Sequence, residues 1–499
     1  MEKAGGYFMV NGNLAYKLND VSGEEVVVNE APLKWCSVTL SDVVSRGKRL
    51  EASVFDVEAK QARQIIYNGK YDVTTVGGND GLTSSYTGAR FKRVWVKTSE
   101  YPIFQPSSIV DIKPSPDGYI SKRTQTNIDA LRVKEGQVLM TCSGTIGKLS
   151  YVSKTLDNTI FSHDLLRIDC KEPTDAGYLY AYLKSKIGNK ILLTNSYGAV
   201  ITHIEPEHLA TVPIPNAPAT IKRKIHTLIA ESYRLRDESN GLVDEATRLL
   251  IEELQLPPIE ELNPISKSAP VETFSIKLSQ MAGRADASYH VPIVDKIIMH
   301  LEKYAEELTV VGDKRISKNI VLAGVFKRTY VEEEYGYPFL GGKEITQLNP
   351  QTEKYLSKPI HKSRYEKELK VTENTILVTD RGTIGTTTLV PKHWNGYAVS
   401  QNVLKLIPAS NDIAGYTYIF LSSDYGRALL RRQTYGSVVD MIDNHSLASV
   451  EIPLLKSKEI QSKINALALQ ANQKRYEAYL LEQRALKVMD DEVIYAKKF

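Results

Sequence analysis

At 499 residues, 42% of them hydrophobic and 24% charged, the chain is long enough to bury two or more cores. Its 63 Lys and Arg against 59 Asp and Glu leave a net charge of +4, which permits an anionic partner without demanding one. Cys36, Cys142 and Cys170 stand far apart, which excludes a zinc cluster built from cysteine and fits a reducing compartment. No apolar run nears the ~20 residues that span a bilayer, and the first residues lack a signal peptide's basic stretch and apolar core, so a cytoplasmic protein is expected.

In chain order, residues 1–33 form an N-terminal arm without a counterpart later in the chain. Asn11-Gly12-Asn13, between residues 7–10 and 14–17, is a hairpin signal. A first globule occupies 34–217. Its pattern gives a helix over 52–67, loops at 77–81 and 84–88, an alternating strand over 91–97 and strands over 138–141 and 160–168. A helix over 177–193 carries Tyr178, Tyr182 and Leu183 on one face. A long helix over 218–256 is stopped by Pro257-Pro258, and a linker over 257–273 leads on. A second globule occupies 274–454 and a second helix 455–499. The class is α/β, in the sense of mixed α and β.

The two globules are copies. Residues 138–215 return at 376–453, at a constant offset of 238, with 27 identities in 78 positions. Gly144-Thr145-Ile146-Gly147 recurs as Gly382-Thr383-Ile384-Gly385. Upstream, Tyr101-Pro102 matches Tyr337-Pro338, residues 119–122 match 355–358, and 49–53 match 284–288. A repeat this long means two whole domains rather than a solenoid.

The helices repeat in phase as well. Ile221, Ile225, Leu228, Ser232, Leu235, Ser239, Leu242, Ala246 and Leu249 alternate in steps of 4 and 3, the seam of a coiled coil. Adding 239 gives Ile460, Ile464, Leu467, Ala471, Lys474, Ala478, Leu481, Ala485 and Val488. Two amphipathic helices, each packed on its own globule, would also show such a stripe. The shared phase favours one helix packed antiparallel on the other, with a pseudo-two-fold axis inside one chain.

Enzyme signatures are missing. There is no HExxH, and Gly341-Gly342-Lys343 fails the phosphate-loop pattern at its first glycine and after the lysine. The repeated GTIG reads as a tight turn between strands. Ser162-His163-Asp164 resembles parts of a triad, but neighbours on a strand face opposite ways. The second copy has Ser400-Gln401-Asn402, which holds no base.

Several repeated features carry a family resemblance. They are the GTIG turn, a Ser-x-x-Leu/Val-Leu strand at 162–166 and 400–404, a YG-x-V segment closing on Ile-Pro at 197–215 and 435–453, and the long helix after each. Together they resemble the specificity subunits of type I restriction–modification systems over roughly residues 35–499. The resemblance implies two target-recognition domains, each reading one half of an asymmetric bipartite site in double-stranded DNA. It implies antiparallel helices that set the gap and dock two DNA adenine methyltransferase subunits, with restriction or translocase subunits as further partners. It implies no catalysis and no cofactor in this chain, S-adenosylmethionine belonging to the partner methyltransferase. The arm departs from the usual pattern and leaves a related phage-defence assembly open.

DNA binding would draw on basic residues in stretches where the copies diverge. These are Arg90, Lys92, Arg93, Lys97, Lys122 and Arg123 in the first globule, and Lys327, Arg328, Lys343, Lys358, Lys362, Arg364 and Arg381 in the second. Tyr197 and Tyr435, each beside a glycine, are further candidates. The helix or partner interface would use Ile221, Ile225, Leu228, Leu235, Leu242, Leu249, Ile460, Ile464, Leu467, Leu481 and Val488. Two rivals remain at this point: a stand-alone DNA-acting enzyme such as a diverged nuclease, and a transcriptional repressor reading a split operator. Neither half shows a helix-turn-helix pattern.

Overall fold

The seam is realised as a helix pair. The computed structural model describes residues 7–10, 13–19, 25–29, 37–45, 48–198, 201–262, 274–281, 283–350, 354–436 and 439–497. In it the first long helix spans Ala219–Glu253 and the second Lys458–Met489. The first is about 52 Å long at 1.5 Å per residue. They run antiparallel: Lys224 pairs with Glu492, Lys474 with Glu238 (2.6 Å), and the Ser457 amide donates to Glu253 (3.3 Å). None of the nine seam positions on either helix is exposed. Ser232, Ser239 and Ala246 face a helix whose seam holds Ala471, Ala478 and Ala485. Such small side chains let the axes approach closely, and Ser232 Oγ donates to the Ala478 backbone carbonyl (2.7 Å). The first helix ends before Pro257-Pro258, at Glu253, because Gln255 turns left-handed (φ 48°).

Each globule follows one plan. A central antiparallel sheet runs Leu149–Tyr151, Val138–Thr141, Leu165–Cys170, Thr83–Tyr86 in the first. Its counterpart runs Thr387–Leu389, Ile376–Thr379, Val403–Pro408, Ser317–Val321. A smaller sheet joins Ile160–Phe161 (parallel) to Pro102–Phe104, then Gly118–Ile120 and Trp95–Val96. It recurs as Ala398–Val399, Gly336–Leu340, Tyr355–Ser357 and Tyr330–Val331. A two-stranded ribbon, Val73–Thr75 with Pro213–Pro215 or Glu307–Val310 with Glu451–Leu454, leads into the long helix. The fold is therefore mixed α/β with two homologous units, as the repeat predicts.

Several local expectations are corrected. The expected strand over 91–97 is only Trp95–Val96. The expected strand over 160–168 is two strands in different sheets, and Ser162-His163-Asp164 is the crossing between them. The helix over 177–193 is two, Pro173–Lys184 and Lys186–Leu193, broken at Ser185, whose side chain caps the second through the Gly188 amide. Tyr178 and Tyr182 do share a face: their hydroxyls donate to the carbonyls of Pro215 (2.6 Å) and Pro213 (2.5 Å). In the arm, Tyr7–Val10, Asn13–Asn19 and Glu25–Asn29 form an antiparallel sheet. Cys36, the turn residues Asn11 and Gly12, and linker residues 263–273 lie outside the described residues.

The helices exchange ends between globules. Ala485, Val488, Met489, Val493 and Ile494 complete the first globule's core, while Ala246, Leu250, Leu254 and Leu256 complete the second's. On each long helix a shorter helix rides at a glycine. A side chain at Gly177 would meet the His226 backbone at 2.6 Å, and one at Gly415 the Asn465 carbonyl at 2.4 Å. The two globules also touch each other at equivalent residues. Asp111 bridges Gln347, its equivalent at offset 236, the Ile112 amide donates to the Thr346 carbonyl (2.9 Å), and Thr346 Oγ1 donates to Asp111 (2.5 Å). This contact marks the pseudo-two-fold axis. Beside it pack Leu235, Leu348 and Ala478, with Ile112 and Leu481.

One buried network breaks the symmetry. Glu482, fully buried, pairs with Lys184 and Arg236 and accepts from Tyr180 Oη (2.8 Å). The equivalent position on the first helix, at offset 239, is Val243. Burial pushes the Glu482 carboxyl up, but the charges of Lys184 and Arg236 and the hydrogen bonds outweigh it and hold it down at about 2.

Two predictions follow from these groups. Glu482→Gln leaves two buried cations short of a counter-charge and should cost about 3–5 kcal/mol at pH 7. Because the folded pKa is depressed, that stability is present above the unfolded value near 4.5 and is lost as pH falls toward 2. The gap in melting temperature between wild type and variant should stay constant from pH 7 to about 5 and then narrow as pH falls toward 3. Asp111 behaves oppositely: burial pushes its pKa up to about 6, against the Thr346 hydrogen bond. Asp111→Asn, which keeps an acceptor for Thr346, should raise stability at pH 7 by about 1–2 kcal/mol after allowance for partial exposure. The gain should vanish as pH falls from 6 to below 4, where the wild-type carboxyl is protonated.

Candidate nucleic-acid interface

The repeated motifs meet at one end of each central sheet. GTIG forms the hairpin between Val138–Thr141 and Leu149–Tyr151, and its glycines take positive φ in both copies: 71° and 79°, then 75° and 83°. Only glycine takes such angles without strain. Leu165 pairs with Thr141 and Val403 with Thr379, so the 162–164 and 400–402 crossings emerge beside this turn. The YG segment closes over it: the Ile204 amide donates to the Cys142 carbonyl (3.0 Å), and the Ile442 amide to the Asp380 carbonyl (2.9 Å). In the first copy Ser143 Oγ and His203 Nδ1 are 2.9 Å apart. In the second, Arg381 holds Asp380 through Nε and Nη2 (3.0 and 2.9 Å).

A fourth element joins the rim and carries four of the basic candidates read from the sequence, though not the identity between its two copies. Phe91-Lys92-Arg93 and Phe326-Lys327-Arg328 are identical at offset 235. Arg328 Nη2 donates to Gln401 Oε1 (2.7 Å), and the Phe91 ring meets the equivalent His163 edge-on at 6.1 Å. Arg93 lies over the Trp95 ring (5.8 Å) and Arg328 over Phe339 (5.4 Å). Burial lowers the His163 pKa against Asp164's pull, and the positive charges of Arg93 and Arg90 lower it further. Arg93 Nε, His163 Nδ1, Arg328 Nε and Asn402 Oδ1 are buried without a hydrogen-bond partner among the described residues. An alignment at offset 235 carried past 284–288 would have exposed the shared tripeptide.

The remaining candidates separate by what holds them. Arg90, Lys92, Lys97, Arg123, Lys327, Lys343 and Lys362 have no ion-pair or hydrogen-bond partner for their side chains among the described residues. Lys122 pairs with Glu100 (3.4 Å), Lys358 donates to the Glu334 carbonyl (3.1 Å), and Arg364 pairs with Glu368 (2.7 Å) while lying over Phe326. Lys343 opens the turn whose Thr346 touches Asp111. Tyr197 is half-buried between His203 and His208, its hydroxyl on Glu205. Tyr435 is 40% exposed, with its hydroxyl on Asp443 (3.3 Å).

A repeated staple fixes this loop. Arg49 pairs with Glu51 and donates to the Ser196 carbonyl (2.8 Å); Arg284 pairs with Asp286 and donates to the equivalent Thr434 carbonyl. Residues 49–53 and 284–288, matched in sequence, thus tie the start of each globule to the YG segment.

Residues 323–471 match the family model of the type I restriction modification DNA specificity domain. The match runs from the rim's Phe-Lys-Arg through GTIG and the YG segment into the second long helix. The matched stretch covers most of the second globule, in agreement with the resemblance read from the motifs, and the first globule repeats that globule's plan. No curated protein matches the chain. Among solved structures the chain is similar to a type I restriction–modification S subunit from M. genitalium. The identity is 14%, covering 87% of this chain and 97% of that one, with a TM-score of 0.33. It is similar to the HsdS subunit from Thermoanaerobacter tengcongensis at 15% identity, covering 84% and 99%, with a TM-score of 0.26. A third similar chain comes from a study of complex assembly in the type I system, at 15% identity, covering 86% and 98%, with a TM-score of 0.27. No described helix is long and apolar enough to cross a membrane.

Removing the staple should loosen the YG segment without unfolding the core. Arg284→Ala is expected to speed hydrogen exchange at the Tyr435 and Met441 amides at least tenfold, leaving Ile376–Thr379 protected. Unchanged exchange at Tyr435 would show that the staple does not hold the loop.

Proposed function

We propose that the chain is the non-catalytic DNA sequence-specificity subunit of a type I restriction–modification, or related phage-defence, complex. The observation that carries this reading is one rim built twice, on globules at opposite ends of an antiparallel helix pair, in a chain whose second globule matches a DNA specificity domain. Two heads related by a two-fold suit two half-sites at fixed separation. Because the heads differ at most aligned positions, the halves differ, and the site is bipartite and asymmetric. Unpaired lysines and arginines supply contacts to phosphate, which anchor the protein without selecting sequence. On this reading the target-recognition domains are 34–217 and 274–454. The helices over 218–256 and 455–499 set the gap and dock two DNA adenine methyltransferase subunits, which bring S-adenosylmethionine. Restriction or translocase subunits join the same assembly, in the cytoplasm.

The test is the methylome of the native host with and without this gene. Loss of one split motif, two unequal halves around a constant gap, is expected. A methylome unchanged by the deletion, in a host that expresses the partner methyltransferase, would refute the specificity role. Tight site-specific binding by the purified chain alone would favour the repressor, because a specificity subunit gains its full contact with DNA only in the complex.

A further inference from the structure

Two versions of one rim in a single chain separate what both heads must do from what each does alone. We propose that the shared basic pair, Lys92-Arg93 and Lys327-Arg328, makes the sequence-independent contacts to the DNA backbone, while positions where the rims differ, His163 against Gln401 and Ser143 against Arg381, choose the bases. The inference rests on the DNA-reading function proposed above.

The geometry argues for this division. The tripeptide is identical in a stretch where, Val96 and Val331 apart, the copies diverge: Arg90 stands against Val325, Trp95 against Tyr330 and Lys97 against Glu332. Sameness amid divergence fits a task common to both heads, and phosphate is the feature every DNA sequence shares. Lys92 and Lys327 are exposed and unpaired among the described residues, unlike the other shared pair, Lys122 and Lys358, whose ammonium groups are already engaged. Arg93 and Arg328 are half-buried against aromatic rings, and Arg328 reaches sideways to Gln401. Arg328 thus also steadies the neighbouring variable Gln401, beside its contact to the DNA backbone.

The variable positions carry different chemistry in the same place. Arg381, with one edge of its guanidinium held by Asp380, has no hydrogen-bond partner for Nη1 among the described residues and presents a planar donor group of the kind that reads guanine O6 and N7. The equivalent Ser143 is short and turned to His203. Gln401 offers carboxamide donors where His163 offers an imidazole whose Nε2 lies 3.3 Å from Asp164.

The experiment exchanges residues between the rims in the full chain, expressed from its own locus in the native host. Arg381→Ser and His163→Gln each install the residue the other rim already folds around. Arg381→Ser should alter one half of the methylated motif, with loss of a G·C preference there; His163→Gln should alter the other half. The gap and the untouched half should stay as they are. The double variant Lys92→Gln/Lys327→Gln, assayed as the purified complex, should keep the same motif. Its slope of log affinity against log salt should become shallower by about 1 per lysine. The division is overturned if either exchange leaves the motif unchanged, or if it abolishes methylation in a protein with wild-type melting. It is also overturned if the lysine variant changes the recognised sequence or keeps the wild-type salt slope. A gene deletion that removes no motif defeats the proposed function itself; a motif present in wild type but indifferent to these exchanges defeats only this assignment.

Discussion

The molecule depends on the packing of one long helix against the other. Small residues at 232, 239, 246, 471, 478 and 485 bring the axes together, and the antiparallel sense carries the end of each helix into the other copy's globule. Neither core is complete without the far helix. Ala485 and Met489 are wholly buried in the first globule, as Ala246 and Leu250 are in the second, so separating the helices would expose apolar surface in both. The contact at Asp111 and Gln347 adds a direct link beside the axis. With both globules joined to both helices, the two rims are held at a distance set by packing.

Within that frame the copies keep the backbone plan and vary the side chains that implement it. Arg167 and Lys405 are equivalent buried cations, and both are hydrogen-bonded to backbone carbonyls. Arg167 donates to Leu131, Phe161 and Leu165, and Lys405 to Lys370 (2.9 Å), with burial pushing the lysine down to about 8. The globules also dock differently on their own helices. Asp237 accepts from Ser153 and Thr155, and Asn240 donates to the Ile112 carbonyl (2.9 Å). In the second copy His393 stacks on Tyr479 (4.1 Å), and its Nε2 is 2.8 Å from the equivalent Leu348 carbonyl. Burial holds that imidazole down at about 4. A carboxylate cap and an aromatic stack thus occupy the same place.

The rims show the same economy. The glycine-bounded turn and the amide-to-carbonyl closure of the YG segment are backbone features, and they are alike in both copies. The groups displayed on them differ. Cys142 shows the limit of what such a position tolerates: burial pushes its thiol up to about 11, while its counterpart Asp380 needs Arg381 to be held there.

The sequence by itself determined the duplication, the mixed α/β class, the in-phase seam and hence the antiparallel helix pair, because each is a periodic or translational pattern along the chain. It also located GTIG and the YG segment, since their glycines answer a local backbone demand. What it left open is whatever depends on residues far apart in number. The Ser162–Asp164 stretch reads as strand because its neighbours are β-formers, yet tertiary pairing sends those neighbours into two different sheets. The meeting of Arg328 with Gln401, the anchoring of Arg284 on Thr434, and the burial of Glu482 between Lys184 and Arg236 have no local signature. A side chain's partner across 70 to 300 residues is chosen by the packed shape, and only the tertiary structure holds that choice.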